Sequence, residues 1–200
     1  MKRSEVQALY FITPIENLES IVARGIVCFN QAKKLKAKSI ADLDIQERRE
    51  KIIPGINKKL HSYANLYFNP RNPMMYKRKG IHQALCILCI DQSILDESNV
   101  IIADGNASSN YTRFAPSPEG LEYLDSTSIF TEYWTSDNPF DYWENKRRIC
   151  AEVLVPGNVL SYFIKGIFVS CTESQKKVKD ILGTNQLSKL VIIKANLFFQ

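Results

Sequence analysis

Glu152 is the residue of this 200-residue sequence whose type and position most clearly indicate chemistry. It lies in an apolar run at residues 149–156, whose length and bounding residues predict a β-strand. Because side chains alternate between the two faces of a strand, Glu152 interrupts an otherwise apolar face. Burial of an unpaired carboxylate is costly, so Glu152 is expected to have a partner or to line a cleft. A solvated glutamate on an edge strand is the alternative.

Arg49 is the second candidate, and it belongs to a basic block. Residues 33–59 contain nine lysines and arginines against four acidic residues. Such charge can attract the phosphates of a nucleotide or a nucleic acid, and a solvated helix face is the alternative. A capping-box pattern at Ser39 predicts a helix that runs to about Lys51. On that helix Arg49 follows the apolar spacing, whereas Arg48 points elsewhere.

Two irregular segments have compositions typical of binding loops. Residues 61–76 combine aromatics, amides, two prolines and Arg71, and each proline restricts the residue before it. A binding loop is favoured there over a merely structural turn. Residues 115–145 are polar and aromatic with little periodicity. A long irregular loop in a small domain is usually functional or disordered, and the aromatics argue against disorder.

The five cysteines include one close pair, Cys86 and Cys89, with the CxxC spacing of some zinc and redox sites. The pair lies inside an apolar run, and the two histidines, His61 and His82, complete no finger-like ligand set. Free cysteine packs as a small hydrophobic residue, so the pair is interpreted as core thiols. No metal site is expected.

The elements that must position these residues begin with a strand at residues 9–12. Thr13, Pro14 and Glu16 then predict a helix start, with Thr13 as the N-cap of a capping box. A strand that ends at a helix N-terminus also suits contact with an anion or a nucleotide. The polar residues 30–38 predict a loop.

Four more strands and one helix complete the pattern. The sequence contains no internal repeat and no linker that would divide the chain, so we expect a single domain over residues 1–200. Mixed strands with segregated helices predict the α+β class. The strands are expected at residues 85–90, 100–103, 166–170 and 190–193, and the helix at 172–182.

Composition limits the protein class. Hydrophobic residues make up 45% of the sequence and charged residues 24%, as in ordinary globular proteins. No apolar run approaches the roughly 20 residues that a membrane span requires, and the N-terminus lacks a signal-peptide pattern. We therefore expect a cytoplasmic protein that does not bind a membrane.

Five ordered blocks, extending over nearly the whole chain, together resemble the DarT family. They are Tyr10-Phe-Ile-Thr13 with Glu16-Asn17-Leu18, Ser39-Ile40 with Ile45-Gln-Glu-Arg-Arg49, Leu60-His61 with Tyr67-Phe-Asn-Pro-Arg-Asn-Pro-Met74, Asp104-Gly-Asn-Ala, and Ala151-Glu152-Val-Leu-Val. The resemblance implies a toxin that transfers ADP-ribose from NAD, its co-substrate, to a base of single-stranded DNA. It also implies an ADP-ribosyltransferase-like fold with a split central β-sheet around an NAD cleft, and an antitoxin that removes ADP-ribose.

The resemblance implies roles for individual residues as well. Glu152 matches the family's catalytic glutamate and Arg49 its catalytic arginine, which would also contact NAD. The loop at 115–148 corresponds to the substrate-recognising loop before the glutamate. The resemblance also implies contacts to NAD from Phe11, Thr13, Asn17, Tyr67 and Met74. It implies contacts to DNA from Arg71, Tyr133, Trp134 and Arg148.

Phe11 departs from the family's thymidine-modifying branch, which usually has histidine there in a Tyr-His-Ile-Thr motif. One hydrogen-bonding group is therefore absent at the expected cleft. A second branch of the family modifies guanine, whose exocyclic amine could lose its proton to Glu152. Guanine is accordingly the favoured base and thymine the alternative.

The chemistry of the residues is compatible with these roles. A carboxylate can stabilise the positive charge that develops on ribose when nicotinamide leaves, and it can accept a proton from the attacking base. The sequence has no Rossmann glycine fingerprint, which excludes the dehydrogenase manner of binding NAD. Two alternatives remain open: an enzyme that acts on RNA, protein or water, and a non-catalytic nucleic-acid-binding module in which Glu152 is structural.

Overall fold

The computed structural model describes all residues from 1 to 200 and consists of ten strands and seven α-helices joined by short 3₁₀ turns. The strands are β1 Leu9–Pro14, β2 Ile26–Val27, β3 Tyr63–Tyr67, β4 Leu85–Ile90, β5 Ile101–Ala103, β6 Phe114–Pro116, β7 Glu152–Pro156, β8 Asn158–Val159, β9 Ile164–Val169 and β10 Val191–Ile193. The helices are α1 Leu18–Arg24, α2 Phe29–Lys34, α3 Leu43–Arg48, α4 Pro73–Lys77, α5 Ser126–Ile129, α6 Pro139–Arg148 and α7 Thr172–Leu182.

Eight strands form one mixed sheet in the order β10-β9-β4-β1-β3-β7-β5-β6, and β2 pairs with β8 separately. β1 is paired with β4 along its whole length, from Leu9 to Pro14. On its other side β1 meets β3 at one register pair only, Tyr10 with Tyr67. The sheet is thus two four-stranded halves that separate beyond that pair. This confirms the predicted α+β fold with a split central sheet.

The two faces of the sheet are covered differently. The largest cluster of buried apolar side chains lies between one face and helices α1 and α7, and it includes Leu18 and Val178 from those helices. Leu9 of β1 points into this cluster, whereas Ile12 points into a smaller cluster with Met75 of α4. Each such buried side chain contributes roughly 1.5–3 kcal/mol of transfer free energy. The divergence of the halves opens a cleft on the side that α2 and α3 border.

Most predicted strands are present, and the strand that carries Glu152 starts three residues later than expected. The N–H groups of Ile149, Cys150 and Ala151 donate to carbonyl oxygens near the end of α6. Those donors are therefore unavailable to a strand ladder, and β7 begins at Glu152. The predicted helix at 172–182 is confirmed and ends at Gly183, whose φ of 52° suits glycine.

The prediction that Thr13 is the N-cap of a helix is wrong. β1 continues through Thr13 and Pro14, and α1 starts only at Leu18 with Asn17 before it. The Thr13 hydroxyl accepts a hydrogen bond from the Asn17 side chain instead of a backbone N–H, because the ladder with β4 fixes Thr13 in the strand. A local pattern has been overridden by sheet pairing.

Four further expectations about local structure need correction. Residues 61–76 are not wholly irregular, because β3 and most of α4 lie within them. Residues 30–38 are not all loop, because α2 occupies Phe29–Lys34. The helix expected from Ser39 is shorter: α3 spans Leu43–Arg48, with the Asp42 side chain accepting from the Asp44 N–H as its cap. The long segment 115–145 is not wholly irregular, since it contains α5 and the start of α6. None of the seven helices is long and apolar enough to span a bilayer.

Candidate active site

Glu152 lies at the centre of the sheet, at the first position of β7. β7 runs between β3 and β5, so Glu152 faces Tyr67 on one neighbour and Ala103 on the other. The Glu152 side chain is only 1% exposed. The alternative of a solvated edge-strand glutamate is therefore wrong, and the expectation of a partner or a cleft is confirmed.

Arg49 is that partner. Its Nη1 atom lies 3.0 Å from Oε1 and 3.0 Å from Oε2 of Glu152, and both side chains are buried. Arg49 is the residue that ends α3, and its N–H donates to carbonyls of the last turn. The two 3.0 Å contacts are charge-assisted hydrogen bonds, and each buried charge compensates the other.

A backbone group completes the surroundings of Glu152. The Ala107 N–H donates to Oε1 at 2.9 Å from the loop between β5 and β6. Glu152 therefore accepts from Arg49 and from one amide, and both donors fix the position of the carboxylate. Oε2 accepts only from Arg49, and Glu152 is one of the residues that line the cleft.

Thr13 and Asn17 lie together on the opposite half of the sheet. The Asn17 side-chain amide donates to the Thr13 hydroxyl at 3.1 Å and to the Lys38 carbonyl at 2.8 Å, and it accepts from the Lys38 N–H at 3.1 Å. Asn17 thereby fastens the basic segment after α2 to the end of β1. The Lys38 ammonium pairs with Glu16 in solvent and has no part in that attachment.

These residues border one large cleft of about 1500 Å³. Small-molecule sites typically measure roughly 300–1,000 Å³, so this cleft can hold a dinucleotide and part of a second ligand. Its lining combines the basic segment 33–38 with aromatic side chains. The predicted site residues that line it are Phe11, Thr13, Asn17, Arg49, Tyr67, Arg71, Met74, Tyr133, Trp134 and Glu152.

Arg148 is the one predicted site residue outside the cleft. It borders a separate, smaller cavity, and its Nε donates to Glu144 at 2.7 Å. Arg71 does line the cleft, but its guanidinium donates to the carbonyls of Asn196 and Glu132 and stacks on Phe199 at 4.0 Å.

Tyr133 and Trp134 are neighbours with different surroundings. Tyr133 is 68% exposed at the cleft mouth. Trp134 is buried and packs edge-on against Tyr76 and Phe199, with ring centroids 5.8 and 5.9 Å away. Trp134 therefore anchors its loop to the rest of the protein, whereas Tyr133 presents a free aromatic face.

His61 is a cleft residue that was not among the sequence candidates, although it lies in one of the quoted family blocks. Its ring stacks on Phe29 at 4.2 Å, and Nε2 lies 3.2 Å from the Gln46 amide oxygen. Burial and the neighbouring Arg49 lower the pKa of His61, which favours the neutral ring. His61 thus links α2 and α3 across the floor of the cleft.

Tyr67 is a neutral phenol opposite Glu152. Burial first, and then the Glu152 carboxylate opposite it in the sheet, raise the pKa of the phenol well above its usual range. Tyr67 can consequently donate a hydrogen bond but cannot act as an anionic base. No group of three or more histidine, cysteine or acidic side chains is placed to hold a metal ion, and all five cysteines are free.

A split sheet with a buried glutamate and an arginine in its cleft is the arrangement that the resemblance to ADP-ribosyltransferases implied. The model of the family described as "ssDNA thymidine ADP-ribosyltransferase, DarT" matches residues 10–199, and the chain belongs to that family. A relative from Thermosipho africanus, a "DNA ADP-ribosyl transferase-DNA ADP-ribosyl glycohydrolase fusion protein", is 32% identical over 185 residues. The match covers 90% of this chain and 46% of the relative, so the chain spans about half of that protein.

Two solved structures of a Thermus sp. 2.9 protein have the same fold. DarT in complex with ADP-ribosylated single-stranded DNA aligns with a TM-score of 0.82 at 26% identity, covering 97% of each chain. DarT in complex with NAD+ aligns with a TM-score of 0.78 at 25% identity, covering 97% of this chain and 98% of the other.

Proposed function

We propose that this chain transfers ADP-ribose from NAD to a base of single-stranded DNA. The observation that carries the proposal is the buried Arg49–Glu152 pair at the point where the sheet divides, on the floor of a cleft large enough for NAD. The family membership and the ligands of the two Thermus structures support it. The family membership also disfavours the alternative of a binding module without catalysis.

Glu152 is proposed as the catalytic carboxylate. As the bond between ribose and nicotinamide breaks, nicotinamide leaves with the bonding electrons and positive charge develops on the ribose. The free side of Glu152 stabilises that charge. A base nitrogen then bonds to the ribose carbon, and the proton that it loses passes to Glu152. Two fixed donors, Arg49 and the Ala107 N–H, hold the carboxylate in place for both steps.

Arg49 is proposed to act mainly through Glu152. Its Nη1 atom is engaged with the carboxylate, and the structure places no protein acceptor on Nε or Nη2. Those two atoms are available for a phosphate or ribose oxygen of NAD, as the sequence suggested. Thr13, Asn17 and Tyr67 lie at the walls of the same cleft and are proposed as NAD contacts, with Phe11 and Met74 as apolar neighbours.

DNA is proposed to approach at the cleft mouth near Tyr133, whose free ring can stack on a base. The neighbouring helix α6 adds Tyr142 and Lys146 to the lining, and the Lys146 ammonium lies 4.8 Å from the Trp143 ring centroid. An aromatic surface with a cation is typical of single-strand sites. Arg71, Trp134 and Arg148 are then proposed to shape this surface, because their side chains are engaged within the protein.

Thymine is the first candidate for the modified base, because the family description names thymidine. Guanine is the second candidate, and it depends on Phe11. That side chain is half-buried, packs against the main apolar core and still borders the cleft. It cannot donate the hydrogen bond that histidine would provide at this position.

An ADP-ribose-removing protein is proposed as the natural counterpart of this chain. The Thermosipho relative joins a transferase and a glycohydrolase in one polypeptide. A chain with toxic transfer activity requires such a counterpart, either fused or separate. Residues 1–200 are proposed to form one domain, because a single eight-stranded sheet unites elements from residue 9 to residue 193.

Mass spectrometry of oligonucleotides tests the proposal. One single strand lacks guanine and another lacks thymine, and each is incubated with NAD and protein. We expect a mass increase of one ADP-ribose on a strand that contains the preferred base, and none with Glu152→Gln. Glu173→Gln changes an exposed glutamate of α7 and serves as the matched control. NAD consumption without any labelled DNA would contradict DNA transfer, and labelling of the thymine-free strand alone would establish guanine.

A further inference from the structure

We propose that Asp104 and Arg147 are positioning residues that hold the Ala107 N–H against Glu152. The inference rests on the catalytic role proposed for Glu152 and adds the device that keeps its carboxylate in place. Neither residue touches the cleft, since both border the separate, smaller cavity. Their effect on the reaction must therefore pass through the loop that begins at Asp104.

The loop reaches Glu152 with a single donor. The Ala107 N–H lies 2.9 Å from Oε1, and Ala107 is completely buried. A backbone amide has no side-chain flexibility, so its position is decided by what anchors the loop on either side. A displacement of about 1 Å would lengthen this hydrogen bond beyond its useful range.

Asp104 and Arg147 form the first anchor. The Asp104 carboxylate is buried, and Arg147 Nη1 donates to its Oδ1 at 2.9 Å and to its carbonyl at 3.2 Å. The Arg147 carbonyl in turn accepts from the Asn106 N–H at 3.0 Å. One arginine thus holds the loop at two residues through its guanidinium and its main chain. Arg147 is also near the end of α6, five residues before Glu152 in the sequence.

Gly105 shows how closely Arg147 and the loop are packed. A Cβ atom built on Gly105 would lie 2.3 Å from Arg147 Nη1 and 3.0 Å from the Arg147 carbonyl oxygen. Contacts below 3 Å are essentially absent from real proteins. Any larger residue at 105 must therefore displace the Arg147 guanidinium or the loop, and alanine is the smallest change that does so.

The far side of the loop is anchored independently. Lys51 Nζ donates to the Ser109 carbonyl at 2.7 Å, and Lys51 lies two residues after Arg49. Within the loop the Asn106 side chain accepts from the Ser108 N–H, and the Thr112 hydroxyl donates to the Asn106 carbonyl. The loop is consequently a rigid bridge between the chain segments that carry Arg49 and Glu152.

Three variants test the proposal. Gly105→Ala separates the loop from Arg147, Arg147→Met removes the guanidinium at similar length, and Arg147→Lys restores a positive charge. We expect kcat for DNA labelling to fall on the order of tenfold to a hundredfold in the first two, as for other small misplacements of a catalytic group. Arg147→Lys should recover part of that loss. KM for NAD should stay within about twofold, because no NAD-binding group has been changed.

Hydrogen exchange of the Ala107 amide supplies a readout that does not depend on activity. Exchange should accelerate in Gly105→Ala and Arg147→Met under conditions in which the sheet amides remain protected. The matched control is Arg113→Ala: Arg113 pairs with the same Asp104 carboxylate from the exposed side but contacts neither Gly105 nor Asn106. Its kcat and its Ala107 exchange should stay close to those of the wild type.

Two results would overturn the proposal. One is an unchanged kcat in folded Gly105→Ala and Arg147→Met, and the other is a reduced kcat with full protection of the Ala107 amide. Activity of the Glu152→Gln variant distinguishes a failure of the positioning role from a failure of the proposed function. If Glu152→Gln is inactive while the loop variants are normal, only the positioning role is wrong. If Glu152→Gln labels DNA normally, the catalytic assignment itself has failed.

Discussion

Arg49 and Glu152 are 103 residues apart in the sequence, yet one guanidinium nitrogen lies 3.0 Å from both oxygens of the carboxylate. Both side chains are buried, so each charge is compensated mainly by the other. Breaking a buried pair by removing one partner typically costs about 3–5 kcal/mol, because the other charge is left uncompensated. Substitutions at this pair should therefore affect stability as well as the proposed activity.

The first prediction separates the two effects at Glu152. Both Glu152→Gln and Glu152→Ala leave the Arg49 guanidinium without an anion, but the glutamine retains an oxygen that can accept from Arg49 and from Ala107. We expect both variants to lose activity, on the order of a hundredfold to a thousandfold as for other preorganised electrostatic groups. Both should lower Tm, and Glu152→Ala should lower it more. DNA labelling and thermal unfolding measure the two quantities, and near-normal labelling by Glu152→Gln would remove Glu152 from the mechanism.

The second prediction concerns the shape of the Arg49 side chain. Lysine carries the same charge but cannot reproduce the planar fork, so Arg49→Lys should lose roughly tenfold or more in kcat/KM. Arg48→Ala should cost much less, because Arg48 is exposed and donates only to the Asp44 carbonyl within α3. Equal losses in steady-state labelling at both positions would show that general positive charge is what matters.

The third prediction concerns NAD affinity and Asn17. Asn17→Ala removes both hydrogen bonds to the Lys38 backbone, each contributing roughly 0.5–1.5 kcal/mol, and should weaken NAD binding about tenfold. Lys38→Ala is the control, because it keeps the Lys38 backbone and removes only an exposed pair with Glu16. Calorimetric titration with NAD measures the affinity of each variant for NAD. Equal weakening by the two variants would shift the role to the lysine charge.

The fourth prediction concerns the DNA surface. Tyr133→Ala should weaken single-strand binding by roughly 1–3 kcal/mol, the range for loss of one stacked base. Tyr162 is the matched control, because its side chain is 65% exposed, against 68% for Tyr133, but does not line the cleft. Tyr162→Ala should therefore bind single-stranded DNA normally. Fluorescence anisotropy at several salt concentrations provides the measurement. Binding should weaken as salt rises, because phosphates are neutralised by basic groups. Normal binding by Tyr133→Ala would place the DNA elsewhere.

The fifth prediction is a pH dependence of stability that arises from Glu144. Hydrogen bonding by Arg147 is the main cause that lowers the pKa of Glu144 from 4.5 to about 2. The unfolded chain takes up this proton near pH 4.5 and the folded protein only near pH 2, so the stabilisation is present above pH 4.5 and is lost as pH falls towards 2.

Glu144→Gln tests this dependence. At pH 6–7 its Tm should be lower by about 2–4 °C, the shift that roughly 1 kcal/mol produces in a chain of this size. The difference from the wild type should shrink as the pH is lowered below 4.5. A difference in Tm that is constant from pH 7 to pH 3 would show that the Glu144 charge does not contribute.

Sequence reasoning was most accurate where a pattern is enforced by burial. The strand at residues 85–90 is a short continuous apolar run, and the helix at 172–182 has a helical period. Glu152 stands out because a carboxylate in an apolar run needs a partner. It was least accurate where tertiary contacts overrule local chemistry. Thr13 has every local feature of an N-cap, yet pairing with Cys86 of β4 holds it in a strand.

The contacts of the site could not have been read from the sequence. The loop at Asp104 contains ordinary turn residues, and nothing local shows that its Ala107 amide will meet a glutamate 45 residues later. Trp134 and Tyr133 are adjacent and chemically alike, but only the position of Phe199 and Tyr76 decides which is buried. The polar, basic composition of residues 30–38 indicates a loop, whereas the high helix propensity of Gln31, Ala32 and Lys33 is consistent with α2.

The order of strands in the sheet has a consequence for synthesis on the ribosome. β5 and β6 are made well before β7, yet they join the sheet only through β7, which inserts between β3 and β5. At about 5–20 residues per second, several seconds separate translation of Arg49 from that of Glu152. Pairings so distant in sequence also form slowly. A nascent or prematurely terminated chain therefore lacks the assembled Arg49–Glu152 pair, and the proposed activity can begin only after β7 has docked.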